Sequence, residues 1–184
     1  MITIDFETEA IVKGSAKPPK PVGIAIKIRD KPSRYYSWGH PTNNNSTLKE
    51  AMKETQTVCW SSENCVFHNA KFDVAVMEHH FDMTPHGFID DTMILAFLIN
   101  PHEKSLKLKE LSETYLDRPP VEQDELRDWI MSNVSKSNEK NWGEFICLAP
   151  GDLVGKYAIA DVDMTAAIYT KMYAIMEEDN EKHT

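Results

Sequence analysis

The chain has 184 residues, 41% of them hydrophobic, and no run approaches the ~20 apolar residues of a membrane span, so one folded domain with one substantial core is expected. A formal net charge of −9 argues against a protein that grips nucleic acid by broad phosphate neutralisation, but not against one that meets phosphate through bound divalent cations. Three cysteines (Cys59, Cys65, Cys147) without a CxxC spacing, and an N-terminus without a secretory pattern, point to a reduced, intracellular, cytoplasmic setting.

In chain order, "MITIDFET" alternates Ile2, Ile4 and Phe6 with Thr3, Asp5 and Glu7, the period of a strand. A strand that begins at residue 2 is expected to be central, because a frayed terminus holds a sheet edge poorly. "KGSAKPPKP" reads as an exposed loop, and "VGIAIKI" and "SRYYSW" as the next strands of an antiparallel meander. Thr47 with Glu50 predicts a capping box that opens a helix through about Thr55. "NCVFH" predicts a short buried strand, and "NAKFDVAVMEHHF" a helix with Asn69 as a candidate N-cap. "GFIDD" predicts a strand feeding the helix "TMILAFLIN", which Pro101 ends.

"SLKLKELSETYL" is amphipathic, with Leu108, Leu111 and Tyr115 on one face, and is broken by Pro119 and Pro120. The polar stretch 121–145 reads as helix, flexible connection and short helix. Asp152 is expected to cap a last long helix whose core stripe is Met164, Ile168, Met172 and Ile175, with the tail "EEDNEKHT" fraying in solvent. This order of elements predicts an α/β fold, a mixed sheet flanked by helices.

The chemistry starts on the first strand. Residues i and i+2 share a face, so Asp5 and Glu7 project together, and neighbouring carboxylates need a cation to stay ionised. Hard oxygen ligands suit Mg²⁺ or Mn²⁺. With 29 acids in 184 residues, about four or five acid-x-acid triplets arise by chance. What singles out Asp5 and Glu7 is their place on a strand predicted to be buried. Asp73 falls in the first turn of its helix, where a carboxylate also serves the macrodipole. Tyr157 and Asp161 are one turn apart on the last helix; a half-buried tyrosine beside a surface acid is the plainer alternative. Cys59, Cys65 and His68 lack the spacing of a zinc site, and Lys17, Lys20 and Lys31 read as solvated surface.

"DFET", "HNAKFD" and "YAIAD" occur in this order and resemble the Exo I, Exo II and Exo III motifs of the DEDD 3′–5′ exonucleases. Tyr157 makes the chain similar to the DEDDy branch, which includes the proofreading domain of family A DNA polymerases and is related to RNase D. The likeness runs from Met1 to about Ala174 and takes in "FIDDTMILAFLINP" and "SLKLKELSETYL". It implies a ribonuclease H-like fold and a single exonuclease domain over 1–184 without a polymerase domain, so that any replication partner acts in trans.

The same resemblance implies that Asp5, Glu7, Asp73 and Asp161 hold two divalent ions, Mg²⁺ or Mn²⁺. Asp5 would bridge both, Glu7 and Asp161 would hold the ion on the nucleophile side, and Asp73 would support the other through water. Tyr157 would position the attacking water. Asn69, Phe72 and, through its backbone, Thr8 would contact the terminal nucleotide. The implied activity is release of nucleoside 5′-monophosphates from the 3′ end of single-stranded DNA, with RNA as the alternative substrate. A phage-encoded nuclease acting in a bacterial host suits the size. The rival is a non-catalytic module that binds nucleic-acid ends, against which stands the presence of all four acids and the tyrosine.

Overall fold

The computed structural model describes residues 1–61, 63–117 and 123–182, without the side chains of 123, 124 and 179–182. Five strands, β1 (Ile2–Thr8), β2 (Pro21–Ile28), β3 (Arg34–Ser37), β4 (Cys65–Phe67) and β5 (Ile89–Asp91), form one sheet in the order β3-β2-β1-β4-β5. β1 is therefore central, as expected. The first three strands make the antiparallel meander, and β4 and β5 add in parallel. The described residues also form six helices, α1 (Leu48–Cys59), α2 (Ala70–Phe81), α3 (Thr92–Ile99), α4 (Leu108–Leu116), α5 (Gln123–Asn133) and α6 (Gly151–Lys182), of which α4 and α5 pack on α6. This is the α/β architecture read from the sequence.

The alternation in β1 sorts its side chains between two cores. Ile2, Ile4 and Phe6 join Ile24, Ile26, Phe67, Val76 and Met77 on the face covered by α1 and α2. The opposite face carries Ala25 and Tyr35, packed on Val154, Ala158 and Val162 of α6. Asp5 pairs with Ala25 across the ladder and Glu7 with Gly23, so the acids lie on the α6 face beside the smallest side chains available. Glycine is required at 23, because a Cβ there would stand 1.9 Å from the Tyr35 hydroxyl oxygen.

Several boundaries differ from the sequence reading. The Thr47–Glu50 capping box forms, but α1 runs on to Cys59 because Val58 and Cys59 are buried in the first core. Asp152 is not the cap of α6: the helix starts at Gly151, and the Asp152 carboxylate inside the first turn accepts from Asn43 Nδ2 at 2.9 Å and Leu153 N at 3.0 Å. α4 ends at Leu116 on a left-handed Asp117; Pro119 and Pro120 lie outside the described residues. Of the predicted α6 stripe, Ile168 and Met172 are buried, while Met164 and Ile175 are half-buried.

The 121–145 stretch is the largest gain over the sequence reading. Leu126 and Ile130 of α5 are fully buried against α6, and a 3₁₀ segment, Trp142–Leu148, follows with Trp142, Phe145 and Ile146 in the same core. That core also takes in Tyr157. Among the described residues, no helix is long and apolar enough to cross a membrane.

Candidate active site

The four carboxylates come from three elements and converge on one place. β4 pairs with β1 only at Ile2 and Thr3, so farther along β1 the backbone on that side has no strand partner. The Phe6 amide, which lies between Asp5 and Glu7, instead donates to Asp73 Oδ1 at 2.9 Å and ties the first turn of α2 to the strand. Asp161 arrives on α6, one turn after Tyr157, and lies close enough to raise the Tyr157 phenol. Asp163, two residues on, turns away to Lys27 at 2.9 Å and Ser33 at 2.5 Å.

Burial and mutual repulsion set the electrostatics. Desolvation, and then the neighbouring Asp161, push the Asp5 carboxyl up to about 8. Glu7 is held well above its ordinary range by burial and by Asp5, Asp161 and Asp73. Asp73 is raised by burial and Asp5, against the opposing pull of its backbone hydrogen bonds. Tyr157 is pushed well up by burial and by the same acids, so its phenol stays protonated near neutral pH. A set of acids that cannot all ionise alone is a set that favours a bound cation.

Among the described residues, a cation is already there. Lys109, in the first turn of α4, places its ammonium against Asp161 Oδ1 and 5.0 Å from the centroid of the Tyr157 ring. Among the described residues, no three His, Cys, Asp or Glu groups stand ready to hold a metal in this arrangement. The donor chemistry nevertheless fits Mg²⁺ or Mn²⁺: hard carboxylate oxygens only, with Glu7, Asp73 and Asp161 buried and Asp5 half-buried, and short of positive charge. Neither Cys59 nor Cys65 belongs to this set; the Cys59 thiol is 3.3 Å from Met77 Sδ inside the core.

Two hollows open on the cluster. A cleft of about 680 Å³ is lined by Asp5, His68, Asn69, Lys109, Tyr157 and Asp161. A second hollow of about 420 Å³ is lined by Glu7, Thr8, Ile11, Phe72 and Glu144 and is walled in part by the 3₁₀ segment. The three candidate substrate residues are thus divided: Asn69 faces the first hollow, and Thr8 and Phe72 face the second.

Asn69 does not cap α2 with its side chain. Its backbone is left-handed (φ 70°), a conformation asparagine tolerates better than most residues. Asp91 of β5 supplies the missing acceptor, taking the Asn69 amide at 3.0 Å and the Ala70 amide at 2.8 Å. The same carboxylate caps α3 through Met93 N at 2.9 Å. Asp91→Ala therefore strips acceptors from two helix starts at once, with an expected loss of about 2–3 kcal/mol of stability in urea unfolding. A loss below about 0.5 kcal/mol would sink the double-cap assignment.

Asp91 and Lys109 were not singled out by sequence. For Asp91 the usable signal is an acid immediately before the helix "TMILAFLIN". For Lys109 it is a cation in the first turn of a helix, where the macrodipole disfavours one.

The raised carboxylates have a consequence for stability. In the unfolded chain these groups ionise near pH 4, whereas in the fold Asp5 holds its proton to about pH 8. The native state therefore binds more protons across that window, and stability falls as pH rises through it. With EDTA present, the melting temperature is expected to drop between pH 5 and pH 8. Metal binding needs ionised ligands, so the rise in melting temperature on adding Mg²⁺ should be larger at pH 8 than at pH 6. Scanning fluorimetry checks both, and a Mg²⁺ effect equal at the two pH values would contradict the argument.

A family model described as 3′–5′ exonuclease matches residues 1–177. None of the curated proteins compared matches the chain. Among solved structures, the fold is similar to NrnC of Brucella melitensis (19% identity, 97% of this chain and 74% of that one, TM-score 0.63). That protein is also known with bound Mg²⁺ and bound to pGG. RNase D of Trypanosoma brucei in complex with RNA U12 is similar over 93% of this chain and 54% of its own, at 13% identity and TM-score 0.67. Pol1 of M. smegmatis, solved with DNA primer-template, is similar over 92% of this chain and 24% of its own (18% identity, TM-score 0.52). At these identities the structural likeness speaks for the fold, and the family match speaks for the sequence. With that match spanning nearly the whole chain, the protein belongs to the 3′–5′ exonuclease family and is a nuclease.

Proposed function

We propose that the protein is a metal-dependent 3′–5′ exonuclease that releases nucleoside 5′-monophosphates from single-stranded DNA ends, with Asp5, Glu7, Asp73 and Asp161 as metal ligands and Tyr157 as the residue that positions water. The observation that carries the proposal is the burial of carboxylates from β1, α2 and α6 at one point, at a cost that a cation would offset. When bound, two Mg²⁺ or Mn²⁺ ions would activate the attacking water and stabilise the in-line displacement at phosphorus.

The chain's own groups do the rest. Asp5 and Glu7 keep fixed positions because β1 is held in mid-sheet, and Asp73 is fixed by the Phe6 amide. Tyr157, a protonated phenol beside Asp161, can orient a water with its hydroxyl while its ring is held by Trp142 in an edge contact at 6.2 Å. Asn69 lines the first hollow, and Thr8 and Phe72 the second, which supports their role in holding the terminal nucleotide beside the acids. A cytoplasmic setting is supported by three free thiols, two of them buried.

DNA is the first reading because the motifs resemble the proofreading branch. RNA is the second, favoured by the likeness to RNase D in complex with RNA U12. The test uses single-stranded DNA and RNA of one sequence, labelled at the 5′ or the 3′ end, with Mg²⁺, Mn²⁺ or EDTA. Stepwise shortening of the 5′-labelled strand and early release of a labelled mononucleotide from the 3′-labelled one is expected, abolished by EDTA. No mononucleotide under any metal would sink the enzymatic reading, and faster cleavage of RNA than of DNA would select the second substrate.

A further inference from the structure

We infer that Lys109 is a resident counter-ion of the site: its ammonium holds Asp161 while no metal is bound, gives way to a divalent ion, and then binds a phosphate of the substrate strand in the cleft. The inference rests on the exonuclease reading above and adds a residue to it.

The Lys109–Asp161 pair is sheltered, with 14% and 11% of the two side chains exposed. It is therefore unlike the surface pair Lys107–Glu110 on the same helix, where the lysine is 80% exposed. The ammonium also lies over the Tyr157 ring and lowers the proton affinity of both Asp5 and Glu7. One lysine thus touches, or acts electrostatically on, most of the proposed catalytic set. Its backbone is fixed, because Leu108 and Leu111 pack α4 against Ile168 and Met172 of α6. The four-carbon stem is not fixed in the same way, and a lysine can swing where an arginine fork would bind its carboxylate through two parallel bonds.

A divalent ion on Asp161 and an ammonium on the same carboxylate repel each other, so the ion displaces the lysine. The displaced head group stays within the cleft of about 680 Å³, whose lining includes Asp5, Asn69 and Lys109 itself. A strand whose 3′ end reaches the acids brings its phosphates into the same space, and an ammonium is a phosphate ligand. The chain carries a net charge of −9, so a cation delivered at this point offsets part of its repulsion for the substrate.

The test is Lys109→Met in the whole chain, with Mn²⁺ alone and with a 5′-labelled single-stranded 12-mer as probes. Calorimetry at pH 8.5 is expected to show Mn²⁺ binding about tenfold tighter than in wild type, since a competing charge is gone. In the presence of saturating Mg²⁺, KM for the 12-mer is expected to rise about tenfold with kcat within threefold, and the salt dependence of log KM to flatten by about 0.7 for one lost phosphate contact. Lys109→Arg keeps the charge on Asp161 but not the swing, so Mn²⁺ should bind no tighter than in wild type, and KM should rise as in Lys109→Met. Unchanged Mn²⁺ affinity in Lys109→Met overturns the inference, and so does tighter Mn²⁺ binding without a rise in KM. Should Lys109→Met fail to fold, Lys109→Gln carries the same readouts. Asp161→Asn separates the two readings: if it abolishes Mn²⁺ binding while Lys109→Met behaves as wild type, the exonuclease reading stands and the role of Lys109 falls.

Discussion

Asp5→Asn is expected to reduce turnover by about 10³-fold or more, equivalent to at least about 4 kcal/mol of transition-state stabilisation. Asparagine keeps the size of the side chain and removes its charge. Asp5 is the hub of the cluster, coupled electrostatically to Asp161, Glu7 and Asp73, and on the proposed reading it contacts both ions. The substitution carries a second expectation with the opposite sign. Wild-type Asp5 is forced to choose between a buried charge and a proton held up to about pH 8. A neutral amide avoids that choice, so metal-free Asp5→Asn should melt no lower than wild type at pH 8. Activity falls while stability holds, a separation that a purely structural residue would not give. Turnover within tenfold of wild type at saturating Mg²⁺ would remove Asp5 from the catalytic set and revive the reading of a non-catalytic end-binding module.

What the sequence made legible was whatever depends on short-range periodicity. The alternation of Ile2, Ile4 and Phe6 with Asp5 and Glu7 was enough to place an acid pair on a buried strand. The four-residue step from Tyr157 to Asp161 put both on one face of α6, and both line the same cleft. Lys109 and Asp91 were opaque for a common reason. Each acts on elements far from it in sequence: Lys109 on α6, 52 residues away, and Asp91 on the start of α2, 21 and 22 residues back. Local pattern describes a lysine on an amphipathic helix and an acid at a strand end, and only the packing of α4 on α6 and of β5 beside β4 gives them partners. The 121–145 stretch forms the helix, connection and short helix expected of it, but its packing was hidden in a related way. Its Ser and Asn content hides the few residues that matter, Leu126, Ile130 and Trp142, whose burial becomes visible only once α6 lies against them.

Tyr157→Phe is the second large effect, and it should be of a different kind. The ring remains, with its edge contact to Trp142 and its place beneath the Lys109 ammonium, so packing in the α5–α6 core is kept. Only the hydroxyl beside Asp161 is lost. Burial and the surrounding acids hold that hydroxyl protonated well beyond neutral pH, so it acts as a donor and not as a base. On the proposed reading its work is to orient the attacking water, a contribution of about 10²-fold in kcat. KM and Mn²⁺ affinity should stay within about twofold of wild type, because no metal ligand and no strand contact has been removed. The pH profile of the residual activity should keep its shape, since the residue lost does not titrate in the working range. If kcat is unchanged, Tyr157 has no role in placing the water. If instead Mn²⁺ binding collapses together with kcat, the hydroxyl serves to hold Asp161 in position, and the loss belongs to the metal site.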